Sequence, residues 1–116
     1  KLEEPEKSFE IIKEMLIKNK KISAIICSTE FSALSAIKAC NYLNYKIGHD
    51  ISIITFDGPL VRDLSTPPIT AASFPVKELG KRAINILLQQ KGSRSKYINY
   101  LAKSEIIERG SVHTVK

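Results

Sequence analysis

Two short isoleucine-rich runs constrain this chain most: "ISAIICS" at residues 22–28 and "DISIITF" at 50–56. Neither alternates apolar with polar, so neither reads as a half-exposed strand. Apolar β-branched runs of this length are what strands look like when helices cover both faces of a parallel sheet. The segment between them, "TEFSALSAIKACNYLN", has helical spacing. Strand, helix and strand at this distance form a parallel crossover unit.

The rest of the chain fits that unit. After Pro5, Phe9, Ile12, Met15 and Leu16 recur at helical spacing, which predicts a helix over about residues 6–19. Ser28 or Thr29 is positioned to cap the second helix. Asn44 sits where that helix should stop, in the left-handed conformation asparagine tolerates. "ITAASF", between Pro68 and Pro75, reads as a third strand. "VKELGKRAINILLQQ" is amphipathic, with Val76, Leu79, Ala83 and either Ile86 or Leu87 on one face, while Gly80 and Ala83 permit close approach by a neighbour. "KGSRS" is a flexible connection. "KYINYLA" and "EIIERGS" read as two short strands or one broken strand. The expected class is α/β, a parallel-sheet subdomain in three layers. There is no internal repeat.

Composition narrows the function classes. A chain of 116 residues is one domain or a piece of one, long enough to bury a single core. It begins "KLEEPEK" without methionine, which reads as a fragment. No apolar run approaches the ~20 residues of a membrane span. The net charge of +6 is dispersed, and its densest cluster, Lys18, Lys20 and Lys21, falls at a helix end where cations complement the helix dipole. This chain alone is therefore not expected to grip DNA specifically. Cys27 and Cys40 are expected to be buried free thiols, which fits a reducing, cytoplasmic setting.

Catalytic patterns are missing from the sequence. His49 precedes a strand and reads as a solvent-facing loop residue, while His113 lies in a polar tail. Neither is set in a nucleophile elbow or a metal-ligand pattern. The five glycines are isolated, so no phosphate-binding loop is present. The expectation is a non-enzyme with no cofactor and no metal.

Polar residues instead gather where strands end, the side of a parallel sheet that meets ligands. Ser28, Thr29 and Glu30 follow the first strand, and Asp57 and Gly58 follow the second. Hydroxyl and carboxylate groups on adjacent strand ends suit a polyol or a sugar. Helix capping by Ser28 and Thr29, and a turn at Asp57-Gly58, account for the same residues.

The order "AIICSTEFSAL", "IGHDISIITFDG", "TPPITAASFPVKELGKRAINILL", "EIIERGS" resembles the effector-binding core of the lactose-repressor (LacI/GalR) family of bacterial transcription regulators, over residues 22 to 111. The resemblance implies a periplasmic-binding-protein-like I fold, in which two α/β subdomains hold a small molecule in a cleft. It implies that residues 1–116 are the C-terminal part of the effector-binding domain, without the N-terminal subdomain or the helix-turn-helix headpiece that binds operator DNA. By resemblance, Asp57 anchors effector hydroxyls. Thr29 and Glu30 stand where the family usually has Asn-Asp, so the resemblance leaves the identity of the effector open. Pro67 and Pro68 lead into a hinge-crossing strand, and Phe74 stacks on a sugar face or belongs to the core. Ser35, Thr55 and Asn44 replace usual glycines.

The implied partners are a sugar or sugar phosphate, a second copy of the chain, and operator DNA through the headpiece only, with no membrane. The implied dimer surface is the helix bearing Leu34, Ile37 and Lys38, with the loop from Pro59 to Thr66 that contains Leu60 and Ser65. At least one of Leu34 and Ile37 is also expected to pack on the chain's own sheet. A sugar-binding protein of an import system uses the same fold and is the alternative reading. The third is a flavodoxin-like enzyme domain, which a tightly bound cofactor would mark.

Overall fold

A computed structural model describes residues 5–56, 64–89 and 98–114. They fall into two compact units, one drawn from Lys1–Ser73 and Ile106–Lys116, the other from Phe74–Glu105. The first unit contains helix α1 (Pro5–Lys18), strand β1 (Ala24–Cys27), helix α2 (Glu30–Tyr42), strand β2 (Ser52–Phe56) and strand β3 (Thr70–Ser73). The second contains helix α3 (Val76–Gln89), and strand β4 (Glu105–Ile107) follows at the boundary. The strands are ordered β1-β2-β3-β4, and β1 to β2 and β2 to β3 are both parallel. The chain is thus the α/β, parallel-sheet protein its sequence predicts.

Register explains the core. Ile25 pairs with Ile53 and Cys27 with Thr55. Side chains alternate across a strand, so these residues share one face, and α2 lies against it. Ala33, Ala36 and Cys40 of α2 are buried there with Cys27, Ile51, Ile53, Ile69 and Leu16 of α1. The small side chains of α2 allow its backbone close to the sheet, while α1 packs on α2 from outside. Each fully buried Leu or Ile contributes roughly 1.5–3 kcal/mol.

The other face corrects an expectation. β1 is not covered on both sides: Ile26 is 71% exposed and Ala24 is also exposed. Phe56, on the same face of β2, is half-exposed. β1 is an edge strand, and these residues lie on the face turned away from α2; on the same face Ser52 of β2 and Thr70 of β3 are buried. An apolar run shows that a strand can be buried twice, not that two layers are there to bury it.

Local signals hold. Thr29 caps α2, and its side chain accepts the Ser32 N–H while the Ser32 side chain returns to the Thr29 N–H. Leu43 is the C-cap, and Asn44 follows with φ 59°. Gly48 has φ 78°, and a Cβ there would lie 2.1 Å from the Gly110 carbonyl oxygen. Only glycine fits a turn pressed so closely by another segment. The Thr66–Pro67 peptide is cis.

In the second unit α3 forms as expected, and none of its residues is buried. Tyr100 donates a hydrogen bond to the Glu78 carboxylate, and the Arg82 guanidinium lies 5.4 Å from the Tyr100 ring centre. Residues 98–104 form no strand, contrary to expectation; the Tyr100 side chain is turned to α3 instead. Lys96, Tyr97 and "KGSRS" lie outside the described residues. Among the described residues no helix is long and apolar enough to cross a membrane.

Candidate functional site

The carboxyl ends of β1 and β2 lie side by side, because Cys27 and Thr55 are direct partners in a parallel pair. Ser28, Thr29 and Glu30 continue from β1 into α2, and Asp57 is the residue after β2 in the chain. Asp57, Gly58 and Leu60 lie outside the described residues. Ser28 is exposed, and Glu30 is half-buried in the first turn of α2, where a carboxylate complements the helix dipole.

Thr29 is heavily engaged. Its hydroxyl accepts the Ser32 N–H at 3.2 Å and lies 3.1 Å from Ser32 Oγ, and Ser32 Oγ donates to the Thr29 carbonyl at 2.7 Å. The capping role is therefore met in full, and a ligand at Thr29 has to share that hydroxyl. Phe74 begins the second unit; it is 41% exposed, and its carbonyl accepts the Val76 N–H.

The residues expected at a dimer surface are divided. Leu34 and Ile37 are half-buried and pack against the chain's own core. Lys38 is exposed, with its ammonium 4.8 Å from the centre of the Phe9 ring on α1. Phe9 meets Tyr42 edge to face at 5.9 Å, and Lys13 lies over both rings. Ser65 is half-buried.

The thiols behave as predicted. Cys27 and Cys40 are free and buried, and burial pushes each pKa up to about 11. At neutral pH both are protonated and poorly nucleophilic. His49 is in solvent, paired with Asp50 at 2.8 Å. No group of three His, Cys, Asp or Glu able to hold a metal occurs among the described residues.

His113 departs from its reading as part of a polar tail. It is half-buried, with Nδ1 3.0 Å from Ser52 Oγ, and its N–H donates to the same oxygen. Beside it, Ser111 is fully buried; its hydroxyl donates to the Ile53 carbonyl at 2.6 Å and accepts the Thr70 N–H at 2.8 Å. Arg109 donates its N–H to Thr70 Oγ1 at 2.9 Å and its guanidinium to the Ile69 carbonyl. Sequence reasoning missed this network. The available signal was two polar residues, Ser52 and Thr70, at the starts of apolar strands, where a buried hydroxyl needs a partner.

Comparison with known proteins places these features in context. The sequence matches the periplasmic binding protein-like domain family over residues 3–112. It is 31% identical over 115 residues to the HTH-type transcriptional repressor PurR of Histophilus somni, covering 97% of this chain and 34% of the relative. The chain thus spans about a third of the length of the curated relatives it matches. A LacI family transcriptional regulator from Bifidobacterium animalis superposes with a TM-score of 0.85 at 26% identity, over 98% of this chain and 42% of the other. A LacI family regulator from Enterococcus faecium with bound ribose shares the fold, with a TM-score of 0.84 at 18% identity over 98% of this chain and 42% of its own.

Proposed function

Because this chain belongs to the periplasmic binding protein-like family, as part of the effector-binding region of a LacI/GalR-type regulator, we propose that it is the C-terminal, effector-sensing part of a sugar-responsive bacterial transcriptional repressor. The observation that carries the reading is the parallel pairing of β1 and β2, whose neighbouring ends lead into Ser28–Glu30 and Asp57. Ligands of open α/β sheets bind at such ends.

In this reading Asp57 accepts hydrogen bonds from two effector hydroxyls, Glu30 accepts another, and Thr29 shares its capping hydroxyl. Phe74 supplies an apolar face for a sugar ring. The relative with bound ribose supports a sugar or sugar phosphate as the ligand class. The effector acts by binding one of two states more tightly, shifting the population by that difference in affinity. The protein is a cytoplasmic binding protein rather than an enzyme, as its two buried thiols and its regulator relatives support. A headpiece elsewhere in the protein contacts operator DNA, and two copies meet through Leu34, Ile37, Lys38, Leu60 and Ser65.

Calorimetric titration of the full-length protein with pentoses, hexoses, disaccharides and their phosphates tests this. One class should bind with favourable enthalpy. Asp57→Ala should then weaken it tenfold or more, because a hydrogen bond to a charged group contributes about 1.5–3 kcal/mol. Unchanged affinity in the variant removes Asp57 from the site, and no binding across the panel overturns the sugar assignment.

A further inference from the structure

The chain passes between its two units twice, after Ser73 and again before Ile106. Thr70 stands just before the first passage and Arg109 just after the second. The two are bound to each other: Arg109 N–H donates to Thr70 Oγ1 at 2.9 Å, and that hydroxyl donates back to the Arg109 carbonyl at 3.4 Å. The Arg109 guanidinium reaches the Ile69 carbonyl. Two residues on, Ser111 receives the Thr70 N–H, and its own carbonyl accepts the Ile53 N–H at 3.0 Å. Ser111 thus pairs with β2 one position before Ile54, the first β2 partner of β3. Ile69, Thr70 and Ser111 are all buried.

We propose that Arg109, Thr70 and Ser111 form a clasp that makes the two inter-unit passages one joint. All of its bonds lie within the first unit, and it goes beyond the effector-sensing reading. Its chemistry is that of a positioning device. One buried hydroxyl, Thr70 Oγ1, holds both the donor and the acceptor of a residue 39 positions away, so neither passage loosens without leaving buried polar groups unpaired. A load on the chain leaving β3 is carried directly to the chain entering Arg109. Gly110 fits the same arrangement, since a Cβ there would lie 3.1 Å from Pro67 Cβ.

Hydrogen exchange read by mass spectrometry on the full-length protein tests the clasp in two variants. Thr70→Val removes the shared hydroxyl at nearly constant volume, and Arg109→Met removes only the guanidinium bond to Ile69. In each, amides of Thr70–Ser73 and of Ile106–Arg109 should exchange at least tenfold faster and in step, while those of α1 and α2 keep their rates. A purely local role for Arg109 would leave Thr70–Ser73 unmoved in Arg109→Met, and that result overturns the proposal. If Thr70→Val accelerates exchange throughout α1 and α2, the chain has lost its fold and Arg109→Met alone decides. Acceleration of one passage without the other, in either folded variant, also overturns it.

Discussion

Helices α1 and α3 are both 14 residues long and both amphipathic, yet α1 helps to close a core and no residue of α3 is buried. Leu16 of α1 is fully buried, whereas Val76, Ile84, Leu87 and Leu88 of α3 are mostly exposed. The periodicity of the two is alike, so it cannot be the cause of the difference. α1 lies on α2, which lies on the sheet, and among the described residues of its own unit α3 has no comparable neighbour. An apolar stripe states that a helix can bury one face, and the rest of the chain decides whether it does.

The largest test of that contrast is truncation in each helix. Leu16→Ala should destabilise the chain by about 2–5 kcal/mol, because the lost contacts leave a cavity in a closed core. Leu87→Ala should stay within about 0.5 kcal/mol, since an exposed side chain has little to lose. Urea unfolding followed by far-ultraviolet circular dichroism measures both. A cost at Leu87 equal to that at Leu16 would show that α3 is covered in solution, and the contrast would fall.

Two glycines should respond with opposite signs to one substitution. Gly48→Ala forces a side chain into a left-handed turn and against the Gly110 carbonyl, which should destabilise by about 1–3 kcal/mol. Gly80 sits inside α3, and a Cβ there meets nothing within 4 Å. Gly80→Ala should therefore stabilise by about 0.5–1 kcal/mol through helix propensity alone. Thermal melts of the two variants check the signs. A destabilising Gly80→Ala in the full-length protein would reveal a close neighbour on that face of α3.

The elements whose cause is local were legible in the sequence. Periodicity gave α1, α2 and α3, β-branched runs gave β1 and β2, and capping chemistry narrowed the N-cap of α2 to Ser28 or Thr29 and placed Asn44 just past its end. What was hidden depends on partners distant in sequence. Ile26 reads like Ile53, but Ile53 faces α2 and is in the core, while Ile26 lies on an edge strand and on the opposite face, and is exposed. His113 and Ser52 meet across 61 positions, and Thr70 and Ser111 across 41. No window along the chain contains either pair. The candidate site reads in the sequence as two polar strand ends; register makes those strands neighbours, and Asp57 lies outside the described residues. The occupation of Thr29 by its own cap was legible only as an alternative to ligand binding.

Next in size is the cap itself. Thr29→Ala should cost about 1 kcal/mol, within the usual 0.5–2 range, because the Ser32 N–H loses its acceptor. Thr29→Ser keeps the hydroxyl and should lose far less. If effector affinity in full-length protein falls with Thr29→Ala but survives in Thr29→Ser, the hydroxyl serves both cap and ligand. If affinity is unchanged in both folded variants, Thr29 is a cap only.

The smallest effects set the units apart by pH. In the first unit the His49 hydrogen bond, and then the Lys46 N–H, hold the Asp50 carboxyl below the usual carboxylate range. A folded-state pKa below the unfolded value contributes stability that is present above the unfolded pKa and lost as pH falls through the folded one. In the second unit the Glu78 carboxylate holds the Tyr100 hydroxyl above its ordinary pKa, because it accepts the phenolic proton. A folded pKa above the unfolded value contributes below the unfolded pKa and is lost as pH rises through the folded one. Acid should therefore loosen the Lys46–Asp50 turn, and alkali the link from Tyr100 to α3. Both sites are solvent-accessible, so the changes are small and weaken with salt. Carboxyl NMR should find Asp50 titrating low, and rising with His49→Ala while remaining depressed by the Lys46 N–H. Tyrosinate absorbance of the protein and of Tyr100→Phe isolates the other group by difference. A Tyr100 that titrates no higher than an ordinary tyrosine would mean that segment 98–104 is not fastened to α3 in solution. Among the described residues α3 would then lose its side-chain link through Tyr100 to segment 98–104, and the contrast with the first unit would be sharper still.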